Sequence, residues 1–188
     1  VSQGRLVLVV GPSGAGKDSL IAGARIALAD DPRVVFPRRL VTRAANAAED
    51  HATLSPEEFE RGLAAGSFPL HWQAHGLSYA LPSSVGNDLA EGRTVVANVS
   101  RAVLADARSR FPAVTVVEIT APVALRAERL AGRGRESRED IAARLTRQPD
   151  AAVDPDAIID NDGTLDAGIA RLVAIIRRSG PILARNSR

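Results

Sequence analysis

The most chemically pointed stretch of this sequence is a glycine-rich turn that ends in a single lysine. Lys17 is the only lysine among 188 residues, and the other 23 basic residues are all arginine. It closes the segment Gly11-Pro12-Ser13-Gly14-Ala15-Gly16-Lys17, which follows the apolar run Leu6-Val7-Leu8-Val9-Val10 and precedes an Ala/Leu-rich, helix-like stretch. Strand, glycine loop and helix in that order are what a phosphate-binding P-loop requires. Glycines let backbone N–H groups turn inward around phosphate oxygens, and the helix presents its positive end to them. An ammonium is a compact point charge, whereas a guanidinium is a broad planar fork. Residues Gly11 to Ser19 are therefore expected to hold a nucleotide, with Lys17 on its β- and γ-phosphates.

The usual pattern, G-x-x-x-x-G-K-[ST], ends in a hydroxyl that ligates the magnesium carried by the nucleotide. Here Asp18 stands in that place and Ser19 follows. A carboxylate is a hard oxygen ligand of the kind Mg²⁺ prefers, so Asp18 is the candidate metal ligand. The competing reading makes Asp18 a helix cap, favoured near the positive end of the helix. The run Thr94 to Val99 carries Asn98 where many P-loop kinases have a metal-directed aspartate. The acidic group would then have moved from strand to loop.

A second constellation runs from Leu125 to Arg135, with Arg126, Arg129, Arg133 and Arg135 around Gly132 and Gly134, and continues to Arg144 and Arg147. Arginines on either side of glycine suit a flap that closes guanidinium groups on phosphates, excluding water and stabilising the transferring group. Arg133, Arg135 and Arg144 are the catalytic candidates beside Lys17. The alternative is a solvated basic helix end. A third group comprises Arg39, Thr42, Arg43, Glu49, Asp50 and His51, then Trp72, His75, Gly76 and Tyr79. It includes the single tryptophan and the single tyrosine of the chain. Such polar and aromatic groups suit an acceptor pocket, although Trp72 fits a core position better than a ligand contact. Arg43 and Tyr79 are the stronger candidates for touching substrate.

These groups need a scaffold, and the chain is long enough for one domain with a substantial core. Net charge is +2 at neutral pH although the isoelectric point is about 9.9. Arginine stays protonated far above neutrality, so the high value reflects arginine usage rather than a strong field. No nucleic-acid partner is expected. With no cysteine there is no disulfide framework or cysteine metal site. The apolar runs are far below membrane-spanning length, and Leu6–Val10 running into Gly11-Pro12 is no signal peptide. A cytoplasmic enzyme acting on a small molecule is the expectation.

Short β-like runs alternate with helical ones. Strands are expected at 6–10, 34–41, 68–73, 77–81, 94–99, 114–119 and 157–159. Helices are expected at about 18–29, from Ser55-Pro56 with Glu58 closing a capping box, at 84–91, 101–110, 123–131, from Ser137, and at 165–178. The alternation predicts an α/β fold with a parallel sheet flanked by helices. Residues of about 36–82 break the rhythm as an inserted acceptor-binding region, and about 131–147 form an arginine-rich lid.

With these residues in view, the chain resembles the guanylate-kinase-like group of P-loop kinases. The likeness runs through Gly11 to Lys17, Thr42-Arg43, His75-Gly76 with Tyr79, Arg133-Gly134, Arg144-Leu145 and Asn161-Asp162. Within that group it most resembles the ribose 1,5-bisphosphate phosphokinase family of bacterial phosphonate breakdown. Lys17-Asp18-Ser19-Leu20, Glu49-Asp50-His51 and Asn98-Val99-Ser100-Arg101 carry that narrower likeness. Guanylate kinases have T-R-x-x-R-x-G-E in the acceptor region, where this chain has Asn46 for the second arginine and Ala48 for glycine. Losing an arginine removes a bidentate phosphate clamp. The resemblance implies transfer of the ATP γ-phosphoryl, with Mg²⁺, to ribose 1,5-bisphosphate. Arg39, Thr42, Arg43, Glu49, His51, His75, Tyr79 and Arg101 would then be substrate-binding. The rivals are a guanylate or other nucleoside monophosphate kinase and a non-catalytic interaction module. Gly16-Lys17 and the flap arginines speak against the second.

Overall fold

The computed structural model describes residues 4–42, 51–74, 76–132, 142–143, 145–146 and 153–178, with the side chain of residue 51 left out. Five parallel strands, β1 (Arg5–Val10), β2 (Val34–Val35), β7 (Thr94–Asn98), β8 (Val114–Thr120) and β9 (Ala157–Asp160), form the central sheet in the order β2-β7-β1-β8-β9. Every residue of β1 is buried, as suits a central strand covered on both faces. Its side chains alternate between two cores. Val7 and Val9 pack with Leu20, Ala24 and Leu172 of helices α1 (Lys17–Ala27) and α6 (Leu165–Arg177). Leu6, Leu8 and Val10 pack on the other face, with Val85 of α3 (Ser84–Ala90) and Leu104 of α4 (Leu104–Arg110).

That second core also takes in Trp72 and Tyr79 of a smaller sheet, with Leu70 and Leu81 just beyond its strand ends. Its strands β3 (Arg39–Val41), β4 (His51–Thr53), β5 (His71–Ala74) and β6 (Leu77–Ala80) lie in the order β4-β3-β6-β5. Helix α2 (Pro56–Ala64) lies between β4 and β5 in sequence and buries Phe59 beside Phe68 and Ala80. Its start is as the sequence predicts: the Glu58 N–H donates to Ser55 Oγ, and the Ser55 N–H donates to the Glu58 carboxylate.

Two expectations need correction. The run 34–41 is not one strand: Val34–Val35 belongs to the parallel sheet and Arg39–Val41 to the small one. Pro37 lies between them and has no N–H to offer a ladder, so the chain breaks there and changes sheets. The expected helix 101–110 opens as a 3₁₀ turn, Arg101–Val103, with Ser100 accepting from the Ala102 N–H. Strand β4 is not anticipated at all. Helix α5 (Val123–Ala131) has the expected bounds, whereas the helix from Ser137 and the remaining lid arginines lie outside the described residues.

Candidate active site

The site is built at the C-terminal end of β1, where parallel sheets of this kind bind ligands. Three glycines shape the loop with positive φ: Gly11 at 147°, Gly14 at 79° and Gly16 at 94°. The last of these is the N-cap of α1, so the chain enters the helix through a left-handed residue with no side-chain cap. Within the loop the Ala15 N–H donates to the Pro12 carbonyl at 3.3 Å. The Lys17 ammonium reaches back across the turn and donates to the Gly11 carbonyl at 2.7 Å and the Pro12 carbonyl at 3.1 Å. The one lysine therefore folds back over the carbonyls at the start of its own loop.

The loop is also held from outside. Arg126 of α5 donates through Nε to the Ser13 carbonyl at 2.9 Å. Asn161, buried just after β9, donates through Nδ2 to the Ala15 carbonyl at 2.8 Å. Arg129 donates to the Asn161 carbonyl at 2.9 Å and to the Ala15 carbonyl at 3.4 Å. Carbonyls held from outside in this way suit a loop whose N–H groups turn toward a phosphate. Helix α5 approaches closely: a Cβ on Gly14 would stand 2.8 Å from the Arg126 carbonyl oxygen. Beside the loop a cavity of about 330 Å³ is lined by Gly14, Gly16, Ser19, Arg129, Asn161 and Leu165. Its size lies in the range of small-molecule sites.

Gly16 holds the N-cap position of α1, and Asp18 follows as the acidic residue of its first turn. The Asp18 carboxylate accepts from Asn98 Nδ2 at 2.7 Å, joining the loop to the end of β7. Asp18 and Ser19 both lie on the first turn of α1, exposed to solvent. Magnesium that arrives with a nucleotide keeps several waters and asks only one or two protein oxygens, so this donor set fits it. Among the described residues no group of three or more acidic, histidine or cysteine side chains forms a separate metal site.

In the small sheet, Tyr79 is buried and stacks on Trp72, with ring centroids 5.5 Å apart and planes 5° off parallel. The Arg39 guanidinium lies 5.9 Å from the Tyr79 ring centroid. Thr42 pairs with Ser78 twice, its N–H donating to the carbonyl and its Oγ1 accepting from the N–H. Trp72 is therefore core; Arg39 and Tyr79 lie on neighbouring strands of that sheet, and Thr42 directly follows β3. Arg101, on the turn after β7, donates to Glu118 Oε1 at 2.8 Å. Burial, together with the nearby charge of Arg101, pushes the Arg126 guanidinium below the usual arginine range. Arg43, Glu49, Asp50, His75, Arg133, Arg135 and Arg144 lie outside the described residues, as does the His51 side chain. Arg126 and Arg129, named in the sequence only as part of the arginine-rich constellation, and Asn161, named only in the family likeness, touch the loop; Glu118, which holds Arg101, has no role on sequence grounds. The signal for Asn161 is its place just past the C-terminal end of a parallel strand.

Comparison with known proteins bears on the family and the fold. The guanylate kinase family model matches residues 3–179. A ribose 1,5-bisphosphate phosphokinase of Methylobacterium radiotolerans is 56% identical over 93% of this chain and 98% of its own length. One of Bradyrhizobium diazoefficiens is 52% identical over 94% of this chain and 90% of its own. Among solved structures, the guanylate kinase of Anaplasma phagocytophilum superposes with a TM-score of 0.65 at 19% identity, covering 94% of this chain and 86% of that one. That likeness concerns the fold alone. The chain belongs to the guanylate kinase family and, within it, groups with the ribose 1,5-bisphosphate phosphokinases.

Proposed function

We propose that this chain transfers the γ-phosphoryl of ATP, with Mg²⁺, to ribose 1,5-bisphosphate, giving ADP and 5-phospho-α-D-ribose 1-diphosphate in cytoplasmic phosphonate breakdown. The observation that carries phosphoryl transfer is the Lys17 ammonium held over the Gly11 and Pro12 carbonyls of a loop pinned from outside. Relatives at 52% and 56% identity that bear the ribose 1,5-bisphosphate phosphokinase name support the acceptor. The cavity between Arg129 and Leu165 suits the nucleoside end of ATP.

In the reaction the 1-phosphate oxygen attacks the γ-phosphorus in line, and the bond to the β-phosphate oxygen breaks. The attacking oxygen is already an anion, so no strong general base is required. This chain's residues act by positioning and charge neutralisation. Loop amides and Lys17 hold the β- and γ-phosphates, and Arg133, Arg135 and Arg144 close from the lid. Arg39, Thr42, Arg43, Glu49, His51, His75, Tyr79 and Arg101 form the acceptor side. Asp18, its carboxylate fixed by Asn98, would hold the Mg²⁺ carried by the nucleotide, which would supply positive charge to offset that of the phosphates.

Two measurements test this reading. A site made for two phosphates leaves unpaired arginines when one is missing. Ribose 1,5-bisphosphate is therefore expected to exceed both GMP and ribose 5-phosphate in kcat/KM by on the order of 100-fold or more. A value for GMP equal to or above that for the bisphosphate would sink the acceptor assignment. For the metal, Asp18→Asn is expected to raise several-fold the magnesium needed for tight ATP binding in calorimetry, while stability shifts by less than about 1 kcal/mol. An unchanged magnesium requirement together with a lower melting temperature would make the Asp18–Asn98 contact purely structural.

A further inference from the structure

Arg126 is only 8% exposed, yet among the described residues its Nε alone has a hydrogen-bond partner, the Ser13 carbonyl. Its two Nη groups make no hydrogen bond there, and neither is enclosed, so both still meet solvent. Two N–H₂ groups that reach solvent from an otherwise buried guanidinium can pair with an incoming anion. Arg101 lies close by, its Nη2 on Glu118 with both side chains less than one-fifth exposed. The Arg101 Nε is enclosed and unpartnered. Among the described residues Glu118 pairs with Arg101, and no acid pairs with Arg126. The cluster keeps a surplus positive charge where solvent screens it weakly.

Its place in the fold says what that charge meets. Glu118 stands level with Val10, the residue before Gly11. Arg126 touches the tip of the loop, and the turn Arg101–Val103 packs against β5 of the small sheet. The three side chains therefore lie between the phosphate loop and the sheet that carries Arg39 and Tyr79. We propose that Arg126 and Arg101, braced by Glu118, bind the phosphate of the acceptor that receives the γ-phosphoryl. Through its Nε, Arg126 ties that phosphate directly to the loop holding the donor. This rests on the acceptor being a phosphorylated molecule, as proposed above, but not on which one.

The test compares wild type, Arg126→Gln, Arg101→Gln and the double variant. Three quantities are read: calorimetric affinity for ADP, affinity of the ADP complex for ribose 1,5-bisphosphate, and inhibition by inorganic phosphate competing with acceptor. Each single substitution is expected to weaken acceptor affinity roughly 10- to 100-fold, the range for losing a hydrogen bond to a charged group. Phosphate inhibition should fall in parallel, with ADP affinity within about threefold of wild type in Arg101→Gln; in Arg126→Gln, which also gives up the Nε contact to the loop, the acceptor loss should exceed the ADP loss. Because both side chains hold one phosphate, the double variant should lose far less than the product of the single losses. Unchanged acceptor and phosphate affinities would overturn the proposal. So would an equal loss of ADP affinity, which would make Arg126 a brace of the loop and nothing more. Should Arg126→Gln fail to fold, the less buried Arg101→Gln is measured in the same three ways, and the same outcomes support or overturn the proposal. A wild type that prefers GMP would overturn the sugar-phosphate reading, and phosphate competition would still decide the pair.

Discussion

Lys17→Arg is expected to lose activity by on the order of 10²- to 10³-fold, although the charge is kept. The ammonium sits within 2.7 Å of the Gly11 carbonyl and 3.1 Å of the Pro12 carbonyl, at the mouth of a loop only seven residues long. A guanidinium is planar and wider, and its five donors point in a fixed fork. It cannot occupy that point and also reach the β- and γ-phosphates without pushing the loop open. The oriented charge that meets the transferring group would be displaced by about an ångström or more, a change that costs about 3–4 kcal/mol in comparable charge-stabilising sites. Single-turnover rates at saturating ATP measure this directly. Near-wild-type turnover would mean that the loop tolerates either cation and that the solitary lysine is an accident of composition.

Features with local causes are legible in the sequence. The loop is read from glycines at fixed spacing, and the capping box from Ser55, Pro56 and Glu58, because each depends on neighbours a few residues away. The parallel sheet follows from alternation of β-branched runs with helical ones. What escapes depends on partners far along the chain. Strand β4 is three residues long and exists through its pairing with Arg39–Val41, which nothing in His51-Ala52-Thr53 announces. Arg126 looks like its neighbours Arg129 and Arg133 in an arginine-rich stretch. Only the packing of α5 on the loop makes it buried. The N-cap position goes to Gly16, while Asp18 stands in the first turn of α1 and pairs with an amide 80 residues away.

The same reasoning makes one glycine the most demanding position in the site. Gly11 has a φ of 147°, and a Cβ there would stand 2.2 Å from the Ile119 carbonyl oxygen and 3.1 Å from its carbon. Those atoms belong to β8, which is locked between β1 and β9 and cannot retreat without breaking both ladders. Gly11→Ala therefore combines a backbone conformation strained for alanine with a main-chain clash. Such strain alone costs about 1–3 kcal/mol, and with the overlap the loss is expected to reach about 3–5 kcal/mol. For a chain of this size that is a fall of roughly 10 °C in melting temperature. Nucleotide affinity should fall as well, because the Gly11 carbonyl is one of the two that seat Lys17. Gly86→Ala is the control. It lies within α3 with nothing within 4 Å of the added methyl, so it should stabilise by about 0.5–1 kcal/mol through helix propensity. Both substitutions add one methyl group, and only the surroundings differ. Equal melting temperatures for the two variants, with unaltered ADP binding in Gly11→Ala, would refute the close approach of the loop to β8 on which the site's geometry depends.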